Sequence, residues 1–147
     1  MKFTCERSFL LKEISIAQEI ISSKKNILIL SNVCLEIKNN YLYIKATDLQ
    51  VNFETKVPIE VKEEGSTTVS GEKFLSILNS LPEGEIEFEQ KNNIIIIKPL
   101  DRKITFQLRC IDSDKFPEFP AFSKERYFEL PIKDFKDMII QTAFAVS

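Results

Sequence analysis

The chain has 147 residues, 44% of them hydrophobic, and 20 Lys and Arg against 22 Asp and Glu give a net charge of −2. That is one domain's worth of chain with apolar side chains enough for a core, which excludes disorder. The charge balance excludes a general attraction to nucleic acid or to an anionic membrane, so any DNA contact has to be local.

Single residue types exclude more. There is no His, which removes Ser-His-Asp and Cys-His machinery and His-ligated zinc. Gly65, Gly71 and Gly84 fit neither GxGxxG nor GxxxxGK[ST]. Cys5, Cys34 and Cys110 have no metal spacing and read as reduced, buried thiols of a cytosolic protein. The longest apolar runs, 27–30 and 94–97, are too short to span a bilayer, and no apolar signal stretch opens the chain. The chain opens on Met1 and stops in mid-pattern at Ser147. The expectation is a true N-terminus and a cut C-terminus.

Residues 2–7 read as a strand, and Ser8 is placed to cap the helix that follows. Leu10, Leu11, Ile14, Ala17 and Ile21 recur at helical spacing over 9–22. After a polar loop at 22–26, residues 27–37 are apolar and β-prone. Asn39-Asn40 suits a tight turn, since Asn tolerates positive φ. In 41–46, Leu42, Ile44 and Ala46 alternate with polar or aromatic neighbours; in 51–57, Val51, Phe53, Thr55 and Val57 do the same. Residues 61–65 read as a charged loop, and 67–69 as a short strand.

A second helix is expected over 71–80, with Phe74, Leu75, Ile77, Leu78 and Leu81 on its apolar side and Leu81-Pro82-Glu83-Gly84 as its stop. Strands follow near 85–90, 93–98 and 103–110, the first two joined at Asn92-Asn93. Glu83, Glu85, Glu87 and Glu89 could suggest paired catalytic carboxylates. Three of them alternate with Ile86 and Phe88, the pattern of a solvated sheet face that would repel DNA. Residues 111–125, with Pro117 and Pro120, read as a linker. The opening pattern then restarts. Phe128-Glu129-Leu130 mirrors Phe3-Thr4-Cys5 at an offset of 125, and in the helix expected over 133–146 Phe135 and Ile139 take the places of Leu10 and Ile14. The order β-α-β-β-β-α-β-β-β describes an α+β domain with two helices packed on antiparallel sheet, residues 1–125, followed at 126–147 by the first strand and helix of a truncated second copy.

The opening MKFTCERSFLLKEI, the segment SNVCLEIKNNYLYIKATDLQ, the helix and stop SGEKFLSILNSLPEG, and the FPEFP linker resemble the bacterial sliding clamps, the β subunits of DNA polymerase III. The resemblance covers essentially the whole chain; ATDL at 46–49, LPEG at 81–84 and the acidic residue before Phe116-Pro117 are its most telling pieces. It implies the sliding-clamp (DNA clamp) domain, three of which form a subunit. Two subunits close head to tail into a cytoplasmic homodimer ring that encircles duplex DNA without sequence preference. The ring serves DNA replication as a processivity factor and tethers the polymerase III catalytic subunit. It implies no catalytic residue, no metal and no cofactor.

The resemblance also assigns residues. A DNA-contacting basic residue falls at about Lys24, with Lys25 beside it; Lys12 on the first helix, and Lys133 and Lys136 on the last, could face the hole. Their neighbours Glu13, Glu19, Asp134 and Asp137 leave an ordinary amphipathic face as the other reading. For subunit closure, the last strand is expected as a sheet edge. Phe106 and Leu108 match apolar positions of the joint, Lys73 and Lys103 match basic ones, and Ile77 packs beside them. Phe106 and Leu108 can equally be core, and both readings can hold in part. The chain departs from the family at Ile104 and Thr105, where basic or small polar residues are common, so its charge pairing there is expected to be weaker. The pocket for the clamp loader and other peptide-bearing partners lies almost wholly outside this chain. Two other classes stay open: an α+β interaction module that pairs strands with a protein and never meets DNA, and a hydrolase built on the Glu83 to Glu89 carboxylates.

Overall fold

β1 (Lys2–Glu6) runs without a loop into α1 (Arg7–Ile21) in the computed structural model, which describes residues 1–21, 27–120 and 128–146. α1 buries Leu10, Ile14, Ala17 and Ile21, four of the five residues at the expected spacing, with Leu11 packed at the edge of the core. Ser8 is not the cap: the helix already begins at Arg7, whose amide donates to the Gly84 carbonyl at 3.0 Å. α2 (Gly71–Ser80) starts at Ser70, whose side chain accepts from the Lys73 amide. Its stop contains Gly84 at φ +122°, a conformation that favours glycine. The Arg7 guanidinium donates to the Leu78 carbonyl at 2.7 Å, a cation at the carbonyl end of α2. Arg7 thus satisfies the carbonyl end of α2, and the turn after α2 satisfies the first amide of α1.

The strands correct the sequence reading in several places. β2 (Asn32–Lys38) is shorter than the expected 27–37, because Leu28–Ser31 form a 3-10 turn. β6 (Gly65–Ser70) and β3 (Tyr41–Thr47), the neighbours of β2, reach no further back than Asn32 and Cys34. With no ladder beside it, this apolar stretch closes its own bonds, Leu30 N–H to the Ile27 carbonyl at 3.0 Å, and turns Leu28 outward. Asn39 and Asn40 make the expected turn at φ 53° and 61°. Val51 is exposed and lies outside β4 (Asn52–Pro58), in the turn before it. The charged loop at 61–65 is instead β5 (Glu60–Glu63), an edge strand on β1 whose charges suit an edge.

β7 (Glu85–Lys91), β8 (Ile94–Pro99) and β9 (Phe106–Ile111) complete a nine-stranded antiparallel sheet of order β4-β3-β2-β6-β9-β8-β7-β1-β5. β9 starts three residues later than expected and is not an end strand; β4 and β5 are the ends. The core lies between this sheet and the two helices. Phe88 of β7 stacks on Phe3 of β1 with ring centroids 4.7 Å apart and meets Phe74 of α2 edge-on at 5.9 Å.

Phe128-Glu129-Leu130 form no strand, since no described strand runs beside them. α3 (Ile132–Thr142) is followed by a 3-10 turn at Ala143–Ala145, and every residue of 128–146 is exposed. At the offset of 125, the first residue of α3 falls on the first residue of α1. No helix among the described residues is long and apolar enough to cross a membrane.

Candidate subunit and nucleic-acid interface

β9 is paired on both sides only at its end. The Cys110 amide donates to the Asn93 carbonyl at 2.9 Å, so Cys110, Leu108 and Phe106 direct their backbone groups toward β8. Gln107 and Arg109 direct theirs the other way. On that side β6 is in register only with Cys110 and Ile111, because the chain leaves the sheet at Gly71 to start α2. The side of β9 at Gln107 is therefore open within an otherwise continuous sheet.

Side chains on β9 alternate. Leu108 and Cys110 are buried in the core, Phe106 packs half-buried against it, and Gln107 and Arg109 point outward. Leu108 is thus buried in the core and also lines the open side of the strand; Ile104 is exposed and outside the ladder. A groove runs along the open side, lined by Gln107, Leu108 and Arg109 from β9, Ile94 from β8, Lys73 from α2 and Leu28 from the 3-10 turn. Leu28 is 71% exposed and Ile94 40%. Lys73 is exposed one turn before the half-buried Ile77. Lys103 is exposed just ahead of β9. The structure brings Lys73, Leu108 and the open strand together and leaves Lys103 outside the groove lining. Leu28, Gln107 and Arg109 were not singled out from sequence. Alternation over 106–111 was enough to turn Gln107 and Arg109 outward, but no local signal exposes Leu28.

Lys12 is exposed on α1, beside the half-buried Glu13 and on the same helix as the exposed Glu19; Lys133 and Lys136 are exposed on α3. Lys24 and Lys25 lie outside the described residues.

The row of carboxylates on β7 differs from the bare acidic face expected. Only Glu83 and Glu85 are freely exposed. Lys2 lies 3.5 Å from both Glu87 and Glu89, Lys62 lies 3.1 Å from Glu87, and Lys91 lies 3.5 Å from Glu89. The hydrogen bond from Lys62 holds Glu87 below the usual carboxylate value, with the Lys2 charge adding to it. On the other half of the sheet Lys45 bridges Glu36 at 2.9 Å and Glu54 at 3.6 Å. Partial burial works against its charge, but the hydrogen bond and charge of Glu36 outweigh that and raise the ammonium above its usual value.

Residues 1–120 match the family model for the N-terminal domain of the DNA polymerase III beta subunit. The whole chain is 44% identical to the beta sliding clamp of Treponema pallidum, of which it covers 40%. The crystal structure of the DNA polymerase III subunit beta from Pseudomonas aeruginosa superposes on it with a TM-score of 0.90 at 26% identity, over 100% of this chain and 40% of that one. The Helicobacter pylori beta clamp bound to a DNA ligase peptide superposes with a TM-score of 0.77 at 30% identity, over 83% of this chain and 34% of that one. The chain thus spans about 40% of the length of the curated relatives it matches first.

Proposed function

The chain belongs to the DNA polymerase III beta subunit family, and from that we propose that it is the first domain of a sliding clamp, a non-catalytic cytoplasmic processivity factor for DNA replication. Residues 1–125 form this domain and 126–147 begin a second one of the same kind. The observation that carries the reading is the agreement of the whole chain with clamp subunits in sequence and in fold. The coincidence of α3 with α1 at the offset of 125 supports the division.

In the complete subunit, two copies close head to tail into a ring around duplex DNA. The open side of β9 is one half of the joint, with Phe106, Leu108 and Ile77 as its apolar floor and Lys73 and Lys103 at its rim. Backbone groups left unpaired beside Gln107 favour addition of a strand from the partner. The grip on DNA is topological. Lys24 and Lys25, and less strongly Lys12 and Lys136, meet phosphates through weak, salt-dependent contacts that permit sliding. Replacing both Lys24 and Lys25 by Ala is expected to flatten the salt dependence of DNA retention by a slope of about two. The polymerase and the clamp loader are partners of the complete subunit, through a pocket mostly beyond these residues.

The test uses the complete polypeptide and its loader on nicked circular DNA. Protein retained on the circle should be lost once the circle is cut. Equal retention on circular and linear DNA would mean ordinary binding and would overturn the ring.

A further inference from the structure

A second groove lies on the outward face of the sheet, where β6, β2, β3 and β4 run side by side and residues 113–120 pass beside them. It encloses about 980 Å³. Its floor is built from two cross-strand rows: Glu36 opposite Ser66, and Cys34 opposite Lys45, which in turn stands opposite Glu54. Its wall carries Asp114, Glu118 and the rings of Phe116 and Phe119, whose centroids are 6.2 Å apart. Phe116 is buried, and the Ser66 and Ser113 hydroxyls meet at 2.7 Å, so the wall is fastened to the floor. Four carboxylates thus line the groove against one ammonium. Lys45 bridges Glu36 and Glu54 through one oxygen of each. Asp114 and Glu118 have no ion-pair partner among the described residues. Cys34 is 6% exposed, and its thiol lines the floor without a hydrogen bond among the described residues.

We infer that this groove docks an extended basic segment of a partner protein, whose Lys or Arg side chains meet the carboxylates of Glu36, Glu54, Asp114 and Glu118. The inference concerns the face of the sheet under residues 113–120 and does not depend on the ring. The floor spans four adjacent strands, about 14 Å at the usual strand spacing, which is the length of about four extended residues. Lys45 holds Glu36 and Glu54 in place and compensates only part of the charge, so the site is formed before its occupant arrives. A guanidinium entering there takes carboxylate oxygens through charge-assisted hydrogen bonds and can lie over the half-buried Phe119 ring. The Cys34 thiol is a weak donor for a backbone carbonyl of the same segment. A neutral segment would strip water from Asp114 and Glu118 and return no counter-charge. An acidic segment or a phosphate backbone would be repelled.

The experiment titrates the complete polypeptide into a fluorescein-labelled peptide, Arg-Phe-Arg-Leu-Arg-Phe, and follows its anisotropy at 50 and 500 mM NaCl. The parent should bind this peptide and should not bind its counterpart with Glu in place of each Arg. Asp114→Asn combined with Glu118→Gln should weaken binding about tenfold at low salt and much less at high salt. Neither carboxylate holds a lysine in place, so the melting temperature of this variant should match the parent. Phe119→Ala should weaken binding by a similar factor at both salts, the mark of lost ring contact rather than lost charge. Glu83→Gln combined with Glu85→Gln removes as much charge outside the groove and should leave the affinity unchanged. If it weakens binding as much as the groove variant does, the attraction is to an acidic protein at large and the inference falls. Binding that survives both groove variants places the peptide elsewhere, the partner pocket beyond these residues included, and also overturns the inference. So does a parent that fails to bind the basic peptide.

Discussion

Leu49 sits at φ +74° with its side chain 59% exposed, a left-handed conformation that a branched residue adopts only when its surroundings impose it. The surroundings are the neighbouring residues of ATDL. Asp48 accepts from the amides of Gln50 at 2.8 Å and Val51 at 2.7 Å, and the Thr47 hydroxyl oxygen accepts from the Leu49 amide at 2.9 Å. Asp48→Ala should therefore cost about 2 kcal/mol in urea unfolding, since it strands two amides that a charged acceptor now satisfies. Leu49→Asn, better suited to positive φ, should stabilise by up to about 1 kcal/mol. The cysteines offer a second check. Burial first, then the charges of Glu6 and Glu85, push the Cys5 thiol up to about 12; burial pushes Cys34 to about 11 against the pull of Lys45. Both should stay unlabelled by a thiol reagent at pH 8 and react once urea unfolds the chain.

At the scale of elements, the outer face of β1, β5 and β7 is a cross-strand charge array rather than a row of free carboxylates. Lys62 ties the short edge strand β5 to β7 through Glu87, with Lys2 of β1 between them. Glu87 has a lower value in the folded protein than the usual 4.5, so its stabilising contribution is full above that value and is lost as pH falls through the depressed one. Lys62→Met should make the melting temperature less sensitive to acidification between pH 5 and 3. The effect at neutral pH should be small, about 0.5 kcal/mol, because water screens the pair. An equally steep acid response in the variant would show that the Lys62 hydrogen bond is not the cause. The array also changes the electrostatic picture: with Glu87 and Glu89 paired, this face repels DNA less than a count of its carboxylates implies.

For the molecule as a whole, stability should divide sharply at the end of the domain. Residues 128–146 bury nothing, so deleting 128–147 should leave the melting temperature of the rest within about 2 °C. Phe88→Ala should instead cost about 3–5 kcal/mol, because its ring joins β1 and α2 across the core. That is a large share of the roughly 5–15 kcal/mol typical of a domain. A large loss on deleting 128–147 would overturn the division at 125.

Much of this was legible in the chain itself. The buried face of α1, the Asn39-Asn40 turn and the extent of α2 all follow from local periodicity and turn chemistry, which each segment carries with it. The family was legible too, from motifs spread over the full length. Tertiary structure decided the rest, because each remaining question depends on what lies alongside. Residues 28–31 are as β-prone as any strand, yet no neighbour offers them a ladder. The charged 60–63 becomes a strand because β1 has an edge to fill. Glu87 and Glu89 pair with lysines, among them Lys2 and Lys62 from other strands. β9 lies mid-sheet yet is open beside Gln107 only because β6 turns away into α2. Periodicity tells a residue which face it shows; only the neighbouring strand decides whether its backbone is already satisfied.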